Sequence, residues 1–201
     1  CIYVNSKRVN IMYWKSKYIY VHLIEKKSIL PIIQKRWNQE MSRLPKWQDI
    51  WTMKTIYEKE KKLAEFNYKL LFRIIAIKTN LYKWKIEDSP NCFVCKNCDD
   101  FQHAFIDCPM SANFWERFKV FVISTNIPCP DITLKVIILG NKPGNQNTLN
   151  VILNRMISLA TYTLYRSRLL RITKNKQIDT FKWFLNELSW RSMILKQKES
   201  M

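Results

Sequence analysis

The sequence predicts a mostly α-helical fold, and its composition and pattern agree on this. Apolar residues recur at the helical period in several long stretches, which is typical of helices that bury one face. Hydrophobic residues make up 47% of the 201 residues, enough for a sizeable core. Glycine occurs only as Gly140 and Gly144, which disfavours Gly-rich phosphate loops and sheets with many tight turns. No apolar run reaches the roughly 18 residues of a membrane span, so none is predicted.

The N-terminal half is predicted to hold a segment of open fold followed by helices. Residues 1–30 mix aromatic, β-branched and basic side chains, and the weak alternation of Ile2 and Val4 allows short strands or loose extended chain. The most regular helical pattern of this half is expected to end at Asn80. The predicted helices of this half lie at 32–43, around Trp47 and Trp51, and at 59–79.

The C-terminal half is predicted to be helical as well. Ser111 is a candidate N-cap for a helix that buries Phe114 and Phe118. The apolar stretch 132–139 fits a short strand or a buried helix, since periodicity cannot decide over so few residues. The other elements expected here are a loop at 140–147 and helices at 149–173 and 177–196, and Ile152 is expected to face inward from the first of these helices.

Most of the cysteines lie in one short stretch. From Asn91 to Cys108 the sequence reads NCFVCKNCDDFQHAFIDC and holds four of the six cysteines and one of the two histidines. Zinc prefers four thiolate or imidazole ligands in a tetrahedron, and a Cys-x-x-Cys turn supplies two of them. Spacing and ligand type agree, so we predict a structural Zn²⁺ ion here. Four protein ligands would close the site, which argues against catalytic zinc.

Two sets of ligands fit this stretch. The first set consists of Cys92, Cys95, His103 and Cys108. The second replaces Cys92 with Cys98 and has the spacing of the retroviral nucleocapsid zinc knuckle, although Gln102 stands where those knuckles usually carry glycine. Disulfides or unliganded thiols are the other interpretations, and no signal-peptide pattern supports an oxidising compartment.

A wider pattern surrounds the first ligand set. Ser89-Pro90 precedes it, Pro109 follows it, and Phe114-Trp115 comes shortly after. Together with the Cys/His spacing, these residues resemble the zinc-binding region that follows the reverse transcriptase of LINE-type (non-LTR) retrotransposons. The resemblance favours the first ligand set.

Residues farther away extend this resemblance to roughly 32–170. Trp47 and Trp51 resemble the paired tryptophans that precede the zinc-binding region. Downstream, Tyr162-x2-Tyr165-Arg166-x-Arg168 is similar to the Arg-bearing helix of the family. The fold class implied is a helical domain with a small CCHC zinc-binding module inserted between helices. Its expected segments are 1–30, a helical region 31–88, the module with its following helix 89–124, and a helical region 125–201.

The resemblance also implies a function and a location. This chain would be the C-terminal part of a retrotransposon polyprotein and would hold template RNA or target DNA near the polymerase. Because the chain starts at Cys1 and not at Met, we expect a fragment, with the polymerase portion upstream. The expected location is an intracellular ribonucleoprotein, nuclear or cytoplasmic, and not a secreted form.

No catalytic site is predicted. Asp99 and Asp100 lie between the candidate ligands and lack the Tyr-x-Asp-Asp setting of the polymerase aspartates. No carboxylate constellation of a nuclease is visible either. We therefore expect that the chain is not an enzyme on its own and has neither a small-molecule substrate nor a membrane partner.

The charge is distributed unevenly along the chain. The formal net charge is +18, and residues 1–85 carry 19 Lys and Arg against 6 Asp and Glu. Residues 86–148 carry 5 against 7, and residues 149–201 carry 10 against 3. Basic segments of this kind attract polyanions and release counterions on contact. Nucleic acid is the expected polyanion, although a Lys-rich surface from an AT-rich genome would look similar.

The basic residues on the flanking helices are the predicted nucleic-acid contacts. In this interpretation, the three thiolates and the nearby acidic residues make the module a structural element and not a phosphate-binding site. Tyr162 and Tyr165 are available for stacking. The candidate contacts are Lys69, Arg73, Arg166, Arg168, Arg171, Lys174 and Lys176.

A second class of function stays open at this level. The sequence is also compatible with a domesticated or degenerate fragment that acts as a protein-interaction scaffold, or with an RNA-binding protein of the retroviral-knuckle kind. Steep salt dependence of RNA binding would favour the retrotransposon function. Weak salt dependence with a protein partner would favour the scaffold.

Overall fold

In the computed structural model, placement is described for residues 2–4, 7–9, 34, 35, 37, 39, 46–56, 60–174 and 178–199. The chain divides into two compact units, residues 1–43 and residues 44–201. None of the helices among these residues combines the length and apolar character that a membrane span requires.

The first unit contains a small hairpin. Strands β1 (Ile2–Val4) and β2 (Lys7–Val9) pair antiparallel. The alternation at Ile2 and Val4 therefore belongs to a short strand, one of the two possibilities that the sequence allowed. The described residues of the predicted helix 32–43 are helical, and its other residues lie outside the described part of the chain.

The second unit is built from helices, which confirms the mostly α-helical fold class. Two segments are π-helical turns, with hydrogen bonds five residues apart, at Thr52–Ile56 and His103–Asp107. The α-helices are α1 (Trp47–Trp51), α2 (Lys61–Leu71), α3 (Lys78–Lys83), α4 (Pro109–Ser124), α5 (Leu134–Leu139), α6 (Thr148–Lys174) and α7 (Thr180–Glu199).

The predicted helix 59–79 is wrong beyond Leu71, where α2 ends. Arg73 takes the left-handed conformation at φ 57°. The N–H of Arg73 then donates to Leu70 O (3.0 Å), and that of Ile74 donates to Lys69 O (3.0 Å). This pair of bonds is the Schellman motif, which satisfies the last carbonyls of a helix. Since glycine normally fills the left-handed position, the sequence carried no visible stop signal.

Asn80 has a different role from the predicted helix end. It lies inside α3, and its side-chain amide donates to Arg73 O (3.1 Å) and Ile75 O (2.8 Å). These bonds satisfy carbonyls in the turn between α2 and α3. Asn80 therefore holds the turn after one helix and does not cap the end of another.

Helix α4 starts earlier than predicted, and Ser111 is not its N-cap. The N-cap is Cys108, with Pro109 at the first helical position, where the missing N–H of proline costs nothing. Ser111 is fully buried, and its hydroxyl donates to Ala104 O at 2.8 Å. The side chain thereby joins α4 to the Cys/His segment instead of capping the helix.

The core of the second unit combines an aromatic cluster with the buried face of α6. Phe114 and Phe118 of α4 are buried as predicted and contact Phe184 of α7 at ring distances of 5.9 and 5.6 Å. The apolar stretch 132–139 contains a helix, α5, whose Thr133 cap accepts a hydrogen bond from Val136 N (3.3 Å). Its isoleucines are fully buried, as the helical alternative required.

Two stacking candidates and one predicted core position of α6 have other roles. Tyr162 and Tyr165 pack on Phe66 of α2, with ring centroids 5.2 Å away in both cases. Their rings therefore hold α2 against α6. Ile152, expected to face the core, is 39% exposed.

The loop at 140–147 is confirmed, and α6 fixes it through asparagines. Asn150 donates from its amide to Asn145 O (2.8 Å), and Asn154 donates to Asn141 O (3.0 Å). Gly140 has φ 95°, and a Cβ there would lie 1.8 Å from Met53 Cε. The backbone conformation therefore favours glycine at this position, whereas the contacted end of the flexible Met53 side chain can shift at little cost.

Candidate metal centre

A tight hairpin presents the first two candidate ligands. Asp99 N donates to Pro90 O (2.9 Å), and Cys92 N donates to Asn97 O (2.6 Å). Inside the hairpin, Lys96 N donates to Cys92 O (3.0 Å), and Lys96 adopts φ 65°. This closed turn brings Cys92 and Cys95 to the same side of the hairpin.

The other two candidate ligands come from a π-helical turn. Cys108 N donates to His103 O at 2.9 Å, the bond of a helix widened by one residue. In an α-helix, two residues five positions apart point about 140° away from each other. The wider turn and the extended backbone of Cys108 bring both side chains to one site. Asp100 caps this segment, because its carboxylate accepts from His103 N at 2.8 Å.

The four side chains meet in one compact cluster. The ligand atoms of Cys92, Cys95, His103 and Cys108 all lie within 4.8 Å of one another. The sulfurs of Cys92 and Cys108 are 3.9 Å apart, and Cys95 Sγ lies 3.2 Å from His103 Nε2. Two thiolates bound at about 2.3 Å in a tetrahedron would be about 3.8 Å apart. The donor types and these spacings fit a tetrahedral metal site closed by four protein ligands.

Cys98 is outside this cluster. Its side chain is exposed, while its backbone pairs with Asn91 in an isolated antiparallel bridge. Cys92 and Cys108 are 1% and 0% exposed, and His103 is 7% exposed. The structure therefore gathers the first of the two ligand sets that the sequence left open.

The surroundings of the two buried thiols shift their acidity in opposite directions. Burial disfavours the Cys92 thiolate, but backbone N–H groups, the His103 side chain and Arg168 outweigh burial and lower the pKa of Cys92 to about 6. At Cys108, burial dominates and raises the pKa of the thiol. Cys92 is thus prepared as a thiolate, the form that binds a metal ion.

A buried ion pair lies directly behind the cluster. The guanidinium of Arg168, on α6, donates to the carboxylate of Asp99, and the two side chains are 8% and 1% exposed. The same guanidinium nitrogen lies 3.8 Å from Cys92 Sγ. Asp99 also accepts from Lys78 N (3.3 Å) through its other oxygen.

This ion pair changes the charge balance of the module. A divalent ion with three thiolates and one neutral imidazole has a net charge near −1, and Asp99 adds another negative charge. Arg168 supplies one positive charge at the same place and a donor toward a ligand sulfur. The sequence interpretation counted Asp99 among the acidic residues that argue against phosphate binding by the module. In the structure Asp99 is buried and paired, so this charge does not face solvent.

Helix α4 contacts the backbone of the turn that carries His103 and Cys108. Phe105, between His103 and Cys108, is fully buried, as expected for a side chain that packs beneath the site. Trp115 of α4 donates from its indole N–H to Phe105 O at 2.6 Å. The backbone that carries two candidate ligands is therefore fastened to the next helix.

The predicted nucleic-acid contacts are not all on the surface. Arg168 is only 7% exposed and pairs with Asp99, so it is withdrawn from the candidate phosphate contacts. Sequence reasoning missed this role, because a buried arginine and a surface arginine look alike in an amphipathic pattern. The short spacing of Asp99 from the ligands was the only available signal.

The remaining candidates lie at different depths. Lys69 is exposed and pairs with Glu65 at 2.5 Å, and Arg166 lies over the Trp183 ring (4.7 Å) and 3.8 Å from Glu187. Arg73 and Arg171 are half-buried, and Lys174 is exposed. Lys176 lies outside the described residues.

A helical protein that closes three thiolates and one imidazole into a buried cluster belongs to the class of proteins with a structural metal module. The model of a family described as "zinc-binding in reverse transcriptase" matches residues 14–115, half of the chain. The chain belongs to this family. No curated protein and no solved structure matches the sequence. The matched segment contains the four candidate ligands and ends at Trp115, so Arg168 lies beyond it.

Proposed function

We propose that this chain is the zinc-stabilised, nucleic-acid-binding C-terminal region of a LINE-type retrotransposon reverse transcriptase. It would hold template RNA or target DNA near the polymerase. The observation that carries the proposal is the closed Cys/His cluster inside the segment that the family model matches. The wider sequence resemblance supplies the LINE-type and C-terminal parts of the proposal.

Zinc is the metal that the donor set favours. Three thiolates with one imidazole in a tetrahedral arrangement suit Zn²⁺, whereas carboxylate and carbonyl oxygens would suit magnesium or calcium. The cluster offers no open position for a substrate, so the role of the ion is structural. It would join the hairpin that carries Cys92 to the turn that carries His103.

The charge distribution supports nucleic acid as the partner. The basic segments 1–85 and 149–201 flank the slightly acidic segment that contains the cluster. Lys69 and Lys174 are exposed on α2 and α6, where a phosphate backbone could reach them. Contacts of this kind are independent of sequence and would position RNA or DNA without reading its bases.

Salt dependence of binding tests this proposal. The affinity of the zinc-loaded chain for RNA and for DNA is expected to fall steeply as the salt concentration rises, because each phosphate that a lysine neutralises releases counterions. Lys69→Ala and Lys174→Ala should each reduce the slope of log affinity against log salt by roughly 0.7 to 0.9, the share of one neutralised phosphate. Lys135→Ala, an exposed lysine in the acidic middle segment, is the matched control and should leave the slope unchanged. Flat salt dependence together with a protein partner would favour the scaffold function instead.

The relation to a polymerase has a separate test. The reading frame upstream of Cys1 is expected to encode the polymerase portion, with paired aspartates in a Tyr-x-Asp-Asp setting. The chain alone should not extend a primer on an RNA template, because no such setting occurs in it. In cells, we expect it in a nuclear or cytoplasmic ribonucleoprotein, which crosslinking to RNA followed by fractionation would detect.

A further inference from the structure

Exposed apolar side chains are concentrated in the stretch of chain that leads into the metal centre and includes its first ligands. Among the described residues, five of the twelve large apolar side chains that stay exposed lie between positions 82 and 94. Each of the five exposes 44% to 67% of its surface. Apolar surface gathered in this way marks an interaction site more often than scattered single residues do. The five residues are Tyr82, Trp84, Ile86, Phe93 and Val94.

Two segments carry these side chains. Both start from the same group of hydrogen-bonded residues, Thr79, Asp99 and Pro90, which is called the base here. Thr79 donates to Asp99 O from its backbone (3.3 Å) and its hydroxyl (3.0 Å), and Asp99 N donates to Pro90 O (2.9 Å). Lys78 Nζ lies 2.7 Å from Glu87, which joins the end of the first loop to its start. The two segments that leave this base are 80–86, which is the last part of α3 with the turn after it, and the hairpin 91–98; they are here called the aromatic loops.

The backbone of both loops is fixed by hydrogen bonds. In the first loop, Lys85 N donates to Tyr82 O (3.0 Å) and Ile86 N donates to Leu81 O (2.9 Å), the Schellman pattern. The second loop is the closed hairpin that holds Cys92. Trp84 and Phe93 are therefore presented by ordered backbone, which lowers the entropy lost when a ligand binds them.

Lysines alternate with the rings on these loops. Lys83, Lys85 and Lys96 are all exposed, and Lys96 Nζ lies 5.3 Å from the Phe93 ring centroid. Between positions 80 and 98, a stretch that the structure describes throughout, Asp88 is the one exposed acidic side chain. The exposed side chains of this stretch therefore carry three positive charges against one negative charge, and Arg168 offsets the charge of Asp99 below them.

We infer that the aromatic loops bind unpaired bases of a single-stranded nucleic acid, an inference that rests on the proposed function. Trp84 and Phe93 stack on bases, while the neighbouring lysines contact phosphates. Aromatic rings in a cationic surface are the combination that binds single strands without sequence preference. A protein partner would match the apolar rings but not the interleaved lysines, which are depleted at protein–protein interfaces.

Binding of a fluorescently labelled single-stranded RNA of mixed sequence, and of the duplex formed with its complement, tests the inference. The zinc-loaded chain should prefer the single strand. Trp84→Ala and Phe93→Ala should each lower single-strand affinity by about 5-fold to about 150-fold. The salt slope should stay unchanged in both variants, because neither removes a charge. Phe93→Trp should retain the affinity, and Trp190→Ala, which removes a ring that is 57% exposed on α7, is the matched control.

The outcomes separate this inference from the proposed function. If both alanine variants bind RNA like the wild-type chain, the aromatic loops are not the binding site and the inference fails alone. If the wild-type chain binds neither RNA nor DNA at low salt, the proposed function fails with it. Sedimentation that shows a dimer in the wild-type chain but not in Trp84→Ala, with RNA affinity unchanged, would assign the loops to a second copy of the chain. Native mass spectrometry should show one zinc in each variant, which excludes misfolding as the cause.

Discussion

The Cys/His module, residues 78–108, and the aromatic cluster between α4 and α7 are held together by different means. In the module, Phe105 is the only large aromatic or aliphatic side chain that is fully buried among the described residues. Hydrogen bonds and the candidate ligands supply its other internal contacts, and the Asp99–Arg168 pair connects it to α6. The aromatic cluster, in contrast, packs Phe114, Phe118 and Phe184 edge to face and stacked, with ring centroids within 6.4 Å.

This difference indicates which of the two regions needs a bound metal to fold. A segment of this size buries too little apolar area to offset its conformational entropy, so metal binding must supply its folding energy. The aromatic cluster buries enough apolar surface to stay packed without the ion. We therefore expect metal removal to unfold one region and leave the other largely intact.

Removal of the metal should have the largest effect. A structural zinc ion contributes roughly 10 to 16 kcal/mol of binding energy to a small module. Cys92→Ser and His103→Ala should lose the ion, and amide hydrogen exchange should show reduced protection across residues 78–108. Protection in α4 and α7 should persist. Cys98→Ser, which changes an exposed cysteine outside the cluster, is the control and should keep one zinc in native mass spectrometry. Complete loss of helical circular dichroism in the Cys92 variant would show that the aromatic cluster also depends on the metal.

Truncation of the aromatic cluster should have the next largest effect. Phe118 is fully buried, with its ring 5.2 Å from Trp115 and 5.6 Å from Phe184. Phe118→Ala should lower the free energy of unfolding by about 3 to 5 kcal/mol in urea titration, while native zinc content is retained. Val120→Ala, on the same helix but 70% exposed, should change stability by less than about 0.5 kcal/mol. Similar losses in the two variants would contradict this packing.

Arg168 tests how far the module depends on the rest of the unit, because it connects the module to α6. Arg168→Met removes the donor beside Cys92 and leaves the buried Asp99 carboxylate without its ion-pair partner. Zinc affinity, measured by competition with a chelator, should fall by about 10-fold to 100-fold. Adding Asp99→Asn to this variant should restore part of the affinity, since the unpaired charge is then removed. Unchanged zinc affinity in Arg168→Met would show that the module does not depend on this helix.

Substitution of Lys85, which adopts a left-handed turn, should change the free energy of unfolding least, and it should stabilise the protein. Lys85 adopts φ 58°, which costs an L-residue about 1 to 2 kcal/mol, whereas glycine adopts it freely. Lys85→Gly should therefore raise the free energy of unfolding by about 0.5 to 1 kcal/mol, after the entropy that glycine adds to the unfolded chain. Lys83→Gly, inside α3, should lower it by about 1 kcal/mol. Thermal unfolding of both variants measures the contrast, and a loss of stability in Lys85→Gly would reject it.

The parts of the fold that short-range pattern decides could be predicted from the sequence. The spacing of Cys92, Cys95, His103 and Cys108 is local, and so is the apolar period that places Phe114 and Phe118 in the core. Helix ends were harder to predict. Within the described part of the chain, three helices end with a non-glycine residue in the left-handed position, namely Arg73, Lys85 and Asn126.

Contacts between distant residues account for the rest. The turn after α2 is held by the amide of Asn80, which lies in the next helix, and the position of Arg168 depends on Asp99, 69 residues earlier. Neither partner can be read from neighbouring residues, because an arginine on a helix has the same local pattern whether it faces solvent or a buried carboxylate. The nucleic-acid contacts at Lys69, Arg166 and Lys174 stay predictions.

The long separation between Asp99 and Arg168 has a consequence for synthesis on the ribosome. Asp99 is made 69 residues before its partner, which at roughly 5 to 20 residues per second is a delay of about 3 to 14 seconds. His103 and Cys108 are made soon after Asp99, so for most of that interval all four candidate ligands exist and the positive charge behind them does not. We therefore expect an ion that binds during this interval to meet a hydrated Asp99, because the buried, charge-balanced form requires Arg168 of α6.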